Sequence, residues 1–227
     1  MQGMFEIANR LYGIEIARKP AAVWNPAVDY YEVRDAGGAL LGGFYADWFP
    51  REDKRAGGWS NSLILGGPTA RGFEPHLGTV NGNMTPPAGG KPALFSRRDA
   101  ETVFHEFGHL LHTVLSRVPV RGLNHVAWDF VELPSQIMEN FTWDRECLDL
   151  FARHFETGER IPEELFRKMV RARNFRAASA QMRQLSLATM DLALHTDYRG
   201  EEQDGDIAAY ARNILQRFTE YPIPEYS

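Results

Sequence analysis

The sequence predicts an α+β protein that is mainly helical, with a small β-sheet at about residues 29–85 followed by a helical region. Short segments of alternating apolar and polar residues, separated by Gly- and Pro-containing turns, predict the strands. From Ser96 almost to the end, apolar residues recur at helical spacing. Hydrophobic residues make up 44% and charged residues 24% of the 227 residues, which is typical of a globular protein with its own core.

Four strands are expected in the sheet. They are residues 30–34, 40–48, 59–65 and, with a weaker pattern, 78–84. The first two are expected to form a hairpin, because Asp35-Ala36-Gly37-Gly38 between them is a turn sequence. A short helix at residues 5–12, closed by Gly13, precedes the sheet. Gly66-Gly67-Pro68 and Arg71-Gly72 mark a loop between the last two strands.

Six helices are expected after the sheet. Their predicted bounds are residues 97–116, 129–143, 147–156, 162–174, 176–195 and 205–217. Ser96 is the expected N-cap of the first helix, and Asp99 supplies an acidic side chain in its first turn. Because apolar residues cover one broad face of this helix, it is expected to pack rigidly on the core.

The first of these helices contains His105-Glu106-Phe107-Gly108-His109. Two histidines at i and i+4 leave the same face of a helix about one turn apart, as a zinc peptidase requires. Glu106 lies about 100° round the helix from His105, where it can act as general base on a water at the metal. A chance match in an ordinary helix is the alternative, but the apolar face favours a rigid metal site.

A catalytic zinc usually has three protein ligands and one open position. Glu132 is the preferred third ligand, because it lies on the helix expected at residues 129–143. His112 lies on the same face as the histidine pair, but one helix does not easily wrap three imidazoles round one ion. His125 requires the intervening loop to turn back. We therefore predict one Zn2+ per chain, bound by His105, His109 and Glu132.

Other polar residues are candidates for orienting these ligands from outside. They are His112, Asp129, Gln136 and Glu139. Gln136 and Glu139 follow Glu132 at i+4 and i+7, so one polar stripe of the second helix is expected to face the metal. A solvated carboxylate is an equally good interpretation of Glu139, and core packing is an alternative for His112.

The residues of these two helices resemble the thimet oligopeptidase family of zinc metallopeptidases. The matching segments are His105 to His109 and Asp129-Phe130-Val131-Glu132-Leu133-Pro134-Ser135-Gln136 with Glu139-Asn140, preceded by Tyr30 to Asp35, Gly43 to Asp47 and Gly89 to Phe95. The resemblance implies zinc at the predicted ligands, Glu106 as general base and hydrolysis of short peptides. It also implies that a strand edge near Thr79, Asn81 and Asn83 accepts the substrate backbone.

The resemblance covers nearly the whole chain, but members of the family are more than twice as long. They continue into a segment whose His, Gly-rich loop and Tyr residues position the substrate and stabilise the oxyanion. Tyr221 and Tyr226 match no catalytic Tyr of the family. The chain is therefore interpreted as a single partial catalytic domain, residues 1–227, with the sheet and substrate edge at 29–95 and the helical zinc-binding region at 96–227.

Two functions remain open for such a partial domain. The first is a zinc metallopeptidase that is active on short peptides. The alternative is a zinc-binding fragment or interaction module with little or no peptidase activity. In either case we expect self-association through apolar side chains of the helix around residues 177–195, since monomers seldom expose a large apolar patch.

Net charge, cysteine content and the lack of long apolar segments argue against several other classes of protein. The formal net charge of −5 gives no basic footprint, which argues against nucleic acid as a partner. No segment has the length of uncharged apolar sequence that spans a membrane. A single cysteine, Cys147, excludes an internal disulfide and fits a reducing compartment. Because the first residues also lack the pattern of a signal peptide, we expect a cytoplasmic protein.

Overall fold

A computed structural model describes residues 1–70, 72–120 and 122–224. Arg71 of the expected loop and Tyr226 lie outside the described residues. The chain forms two compact units, Met1–Pro162 and Glu163–Ser227. The first contains a β-sheet and every candidate site residue, and the second is helical. The α+β class is confirmed, whereas a single catalytic domain stays a prediction.

In the described part of the chain, one helix is followed by seven strands and then by the remaining helices. The helices are α1 Gln2–Tyr12, α2 Arg97–Val114, α3 Leu133–Glu139, α4 Arg145–Phe151, α5 Glu163–Arg173, α6 Ala177–Thr196, α7 Glu201–Asp204 and α8 Ile207–Gln216, with a 3-10 turn at Asn140–Thr142. The strands are β1 Glu15–Lys19, β2 Asp29–Arg34, β3 Leu40–Asp47, β4 Trp59–Ile64, β5 Gly67–Thr69, β6 Gly72–Glu74 and β7 His76–Asn81.

Five of the strands form one mixed sheet in the order β1-β2-β3-β7-β4. β2 and β3 form the expected antiparallel hairpin, in which Tyr31 lies opposite Phe44. β7 then pairs parallel with β3 on one side and antiparallel with β4 on the other. The expectation that the strand near Thr79 provides a free edge is therefore wrong. The edge on this side of the sheet is β4, whereas β7 is interior because it pairs with β3 and with β4.

The sequence analysis missed strand β1 at the opposite edge. β1 pairs antiparallel with β2, from Glu15 opposite Arg34 to Lys19 opposite Tyr30. Of its five residues only Ile16 is partly buried, so the segment lacks the alternation that identifies a half-buried strand. Its existence depends on backbone pairing with β2 and not on its own pattern.

The core lies between the sheet and helices α1 and α2. Phe107 of α2 and Phe44 of β3 are fully buried, with ring centroids 6.3 Å apart. Phe5 of α1 contacts both rings. Burial of a side chain of this size stabilises the fold by about 2 kcal/mol. This packing fixes α2 against the sheet, and α2 carries the histidine pair.

Two helix starts in this unit differ in how well the sequence predicted them. α2 begins at Arg97 as expected, with a complete capping box between Ser96 and Asp99. α3 begins at Leu133 and not at residue 129, because Pro134 lies in its first turn, where a missing N–H is tolerated. Residues 128–132 form turns, and Glu132 is the residue that precedes the helix.

The second unit is helical, and its helix α6 leaves much of its surface exposed. Ser186 is the buried residue of α6, while Leu185, Leu187 and Leu192 are exposed. Self-association through this helix stays a prediction. Among the residues that the structure describes, no helix is both long enough and apolar enough to cross a membrane.

Candidate metal centre

The three predicted ligands come together at one point beside helix α2. The Nε2 atoms of His105 and His109 lie 3.1 and 3.2 Å from the same carboxylate oxygen, Oε2 of Glu132. The two imidazole rings are nearly perpendicular, with centroids 5.0 Å apart. Among the described residues, these three form the one group of at least three ligand-type side chains whose donor atoms converge closely enough to hold a metal ion.

The spacing of these donors fits a small divalent cation such as zinc. Two donors at about 2.0–2.2 Å from one ion and at a tetrahedral angle lie about 3.3–3.6 Å apart. The observed separations from Glu132 Oε2 are slightly shorter, at 3.1 and 3.2 Å. A movement of a few tenths of an ångström, about the freedom of a side-chain rotamer, is enough to admit the ion.

The partner of the other ring nitrogen of His105 supports the same conclusion. Nδ1 of His105 lies 2.7 Å from Oε1 of Glu139. An ionised carboxylate only accepts hydrogen bonds, so Nδ1 carries the proton and a neutral ring has its lone pair on Nε2. With the proton on Nδ1, the Nε2 lone pair of His105 points towards Oε2 of Glu132, so a metal ion would fit between the two. Carboxylates commonly orient metal-binding histidines by a contact of this type.

Burial also favours the neutral form of His109. Desolvation lowers the pKa of the His109 imidazole, and the neighbouring charge of Glu132 only partly opposes it. A metal-binding histidine must have a free lone pair on one nitrogen, so a lowered pKa suits this role.

The close approach of α3 to α2 brings Glu132 to the histidines. Gly108 of α2 lies directly against Pro134 and Ser135. Ser135 is fully buried, and its hydroxyl group can donate to either of two oxygens of Glu132, the carbonyl oxygen at 2.9 Å and the carboxylate Oε2 at 2.8 Å. The sequence analysis overlooked both Gly108 and Ser135. Their positions, inside the histidine motif and three residues after Glu132, are the features that point to them.

Glu106 lies beside the ligand group without belonging to it. The residue is buried, at 6% exposure, and it lines the same cleft as His105 and His109. Burial raises the pKa of the Glu106 carboxyl, and the nearby carboxylate of Glu132 adds to the rise. A carboxyl group with a raised pKa beside a metal position is suited to taking up and returning a proton.

The ligands open onto a cleft of about 500 Å3. Edge strand β4 forms one wall, and Arg55 and Gly58 line the cleft just before that strand. The loop after α2 contributes Trp128, whose side chain is 90% exposed. A free strand edge therefore runs along the candidate metal centre.

The other residues that the sequence suggested as ligands or as partners of the ligands lie outside the group of three converging side chains. His112 is half-buried in the cleft wall and is not one of the three converging ligands. Asp129 and Gln136 are exposed, and no described contact joins either side chain to the histidine pair. His125 is exposed and lines a neighbouring cavity.

The three expected substrate-edge residues stabilise the backbone. Asn81 donates to Thr79 Oγ1 and to the carbonyl of Trp59. Asn83 donates to the carbonyls of Arg55 and Gly57, at 2.8 Å each. Thr79 and Asn81 are buried. Asn81 thus holds β4 from inside the sheet, and Asn83, which follows β7, holds the segment before β4.

Two imidazoles, a carboxylate and a separate buried carboxylate beside an open cleft form the type of site found in metal-dependent hydrolases. The family model described as Peptidase family M3 matches residues 1–226. The chain therefore belongs to peptidase family M3.

Curated relatives agree with this assignment. The chain is 41% identical over 207 residues to oligopeptidase A of Escherichia coli, covering 89% of this chain and 30% of that protein. It is 43% identical over 208 residues to organellar oligopeptidase A, chloroplastic/mitochondrial, of Arabidopsis thaliana, covering 87% and 26%. It is 36% identical over 197 residues to dipeptidyl carboxypeptidase of Escherichia coli, covering 86% and 29%. The chain thus spans about a third or less of the length of these relatives.

Proposed function

We propose that this chain forms the zinc-binding catalytic region of an oligopeptidase that hydrolyses short peptides. One Zn2+ is held by His105, His109 and Glu132, and Glu106 is the general base. The convergence of three ligand atoms beside the buried Glu106 carboxylate carries the proposal. The names of the relatives, oligopeptidase A and dipeptidyl carboxypeptidase, support a peptide substrate.

Each residue has a definite task in this reaction. Zinc, when bound, supplies Lewis-acid polarisation and lowers the pKa of water. Glu106 accepts the proton of the attacking water and returns it to the leaving amine. Glu139 keeps the proton of His105 on Nδ1, so that Nε2 is free to bind the metal. Ser135 holds the Glu132 carboxylate by its 2.8 Å contact.

The substrate backbone pairs with the free edge of β4. This edge replaces the strand near Thr79 as the surface for β-augmentation, since β7 is paired on both sides. Ser60, Asn61 and Ser62 of β4 line the cleft. A peptide added to this edge passes the ligand group.

Two readouts test metal binding and turnover separately. The purified chain should bind one zinc, and His105→Ala should remove it, whereas His112→Ala should retain it. Stoichiometric, tightly held zinc in His105→Ala contradicts the ligand assignment.

Glu106→Gln should keep zinc and the fold, but lose nearly all hydrolysis of a quenched-fluorescent peptide. Turnover near the parent value in Glu106→Gln contradicts its role as base.

The alternative function, a zinc-binding module without turnover, differs from the proposed one in the expected hydrolysis by the unsubstituted chain. It predicts full zinc occupancy with no hydrolysis by the unsubstituted chain. Because the chain spans about 30% of oligopeptidase A, activity measured on this chain decides between the two. We further propose a cytoplasmic location, in keeping with one unpaired cysteine and with the relative named probable cytosolic oligopeptidase A.

A further inference from the structure

Arg55 lies at one end of the cleft and is the one Lys or Arg among its described lining residues. Its side chain is exposed, and its guanidinium lies over the Trp59 ring, 5.6 Å from the centroid. Within the described part of the chain, the guanidinium donates no hydrogen bond and forms no ion pair. It therefore keeps its donors available for a ligand.

The neighbouring cations are already engaged, which sets Arg55 apart. Arg51 and Lys54 both form ion pairs with the buried carboxylate of Asp47. Lys54 also donates to the carbonyl of Phe49, and its side chain is 2% exposed. Arg55 is thus the cation of this segment that faces the cleft.

The backbone that carries Arg55 is held in place. Asn83 donates to the carbonyls of Arg55 and Gly57, so one side chain fixes both ends of the segment 55–57. Gly58 then lies against α2, where a Cβ atom would be 2.6 Å from Thr102 Cγ2 and 3.1 Å from Glu106 Oε1. A side chain on such a support is preorganised for binding.

The position of Arg55 relative to β4 determines what it can reach. β4 runs in the same direction as α2, since Gly58 lies beside Glu106 and Ser62 Oγ is 3.3 Å from Thr113 Oγ1. The ligand group therefore lies beside the middle of the strand, and Arg55 precedes its first residue, Trp59, by four positions. A peptide paired with β4 passes the ligands and directs one of its ends towards Arg55.

We propose that Arg55 is a carboxylate-recognition residue of this cleft, so that preferred peptides carry either a free C-terminal carboxylate or an Asp or Glu side chain near the beginning of β4. The guanidinium fork matches a carboxylate in a bidentate manner. This inference rests on the proposed function and specifies its substrate class. Arg55 binds the substrate and takes no part in proton transfer.

Binding to the zinc-loaded Glu106→Gln chain tests the proposal without requiring turnover. Three N-acetylated pentapeptides of otherwise neutral sequence are compared by calorimetry: one with a free C-terminal carboxylate, one with a C-terminal amide, and one amide with Glu as its last residue. The carboxylate peptide should bind about tenfold more tightly than the neutral amide, as expected for a charge-assisted hydrogen bond. Tighter binding of the Glu amide identifies the side chain as a second source of the carboxylate.

Substitutions assign the preference to Arg55. Arg55→Met keeps an apolar stem on Trp59 and should bind all three peptides equally, whereas Arg55→Lys should keep part of the preference. Arg18→Met removes an exposed arginine of β1, at the opposite edge of the sheet from β4, and should behave like the parent. Burial raises the pKa of Glu106, and the charge of Arg55 opposes this rise. If that were the only role of Arg55, acid and amide peptides would bind equally.

The outcomes separate this inference from the proposed function. Equal affinity for the three peptides, or absence of measurable binding of both carboxylate peptides, overturns the role of Arg55. Zinc content and hydrolysis by the unsubstituted chain, measured in parallel, remain as the independent test of the metal site. A preference that persists in Arg55→Met also overturns the assignment.

Discussion

Gly108 of α2 lies so close to Ser135 of α3 that a Cβ atom at residue 108 would be 2.6 Å from the Cα of Ser135. The same atom would be 2.6 Å from the carbonyl oxygen of Pro134. Both contacts are with backbone, which does not move aside as a flexible side chain does. The absence of a side chain at residue 108 thus allows the helix that carries the histidines to touch the segment that carries Glu132.

Gly108→Ala should therefore separate α2 from α3 and weaken both the fold and the metal site. We expect a loss of about 1–3 kcal/mol in the free energy of unfolding, as for an overpacked core position. Zinc affinity should fall as well, because Glu132 moves away from the histidines. Denaturant unfolding and zinc titration measure the two effects. Gly37→Ala, in an exposed turn, is the control, and an unchanged zinc affinity in Gly108→Ala would contradict the argument.

Glu139→Gln should weaken zinc binding without removing a ligand. The amide is a poorer acceptor for the Nδ1 proton of His105, and loss of such an outer partner typically lowers metal affinity by about 10–100-fold. Competition with a chromophoric chelator gives the affinity. Gln136→Ala, an exposed change on the same helix, should leave it unchanged. Equal affinities in the two variants would show that Glu139 does not orient His105.

Gly58→Ala should reduce turnover while the zinc content stays at that of the parent. The added methyl group meets Thr102 Cγ2 at 2.6 Å and Glu106 Oε1 at 3.1 Å, so the general base is displaced and the ligands are not. Thr102→Ser removes the closer contact, and the double variant should regain part of the activity. Activity of Gly58→Ala equal to that of the parent would mean that the β4 segment yields instead of Glu106.

Asp47 should make stability fall at acid pH. Burial alone would raise its pKa, but hydrogen bonds from Arg51, Lys54 and Trp24 outweigh burial and lower the pKa to about 2. Because the folded-state pKa lies below the ordinary value of 3.8, the contribution is present above pH 4 and is lost as the pH falls towards 2. A lowering of the Asp47 pKa by this amount corresponds to a contribution of about 2 kcal/mol to the free energy of unfolding.

Unfolding curves from pH 7 to pH 2 check this dependence. Asp47→Asn should be less stable than the parent at pH 7, since it leaves the buried ammonium of Lys54 without its partner. The difference between the two proteins should shrink as the pH falls through 4 to 2. Asp53→Asn, an exposed change in the same loop, should follow the parent. A difference that does not vary with pH would contradict the ion-pair argument.

Self-association is expected to involve helix α6, where Leu192 is 62% exposed and Leu185 44% exposed. Burial of exposed leucines against a second copy removes apolar surface from water. Light scattering at micromolar concentration should give a mass above that of the 25.8 kDa monomer. Leu192→Glu should lower the mass, while Asp191→Lys changes charge alone. A parent protein that scatters as a monomer would contradict the expectation.

Local pattern was enough to predict most of the elements. The capping box of Ser96 and Asp99 and the apolar face after it gave the start of α2, because both depend on residues within a few turns of one helix. The hairpin of β2 and β3 followed from alternation on either side of a turn. The start of α3 was wrong by four residues, because an apolar stripe extends into the turns before Leu133.

In the candidate site, too, the sequence predicted the features that depend on a single helix and left open those that depend on packing between helices. The i, i+4 spacing of His105 and His109 is a property of one helix, and the sequence alone predicted that both rings share a face. The sequence left Glu139 as either a solvated carboxylate or a partner of His105. Its 2.7 Å contact with His105 exists only because α3 packs on α2.

The sequence by itself determined the class of fold and the position of the histidine pair, since these follow from short-range periodicity and motif. It also selected Glu132, but on the basis of a helix that in the structure begins one residue after it, and the packing of α3 on α2 brings this carboxylate to the histidines. Only the tertiary structure decided that β7 is interior and β4 is the edge. The alternation of apolar and polar residues within a strand does not indicate which distant strand it pairs with. The same holds for Asn83, which the sequence placed at a substrate edge. Its amide instead clamps the turn that carries Arg55, because the chain brings residues 26 to 28 positions apart into hydrogen-bonding contact.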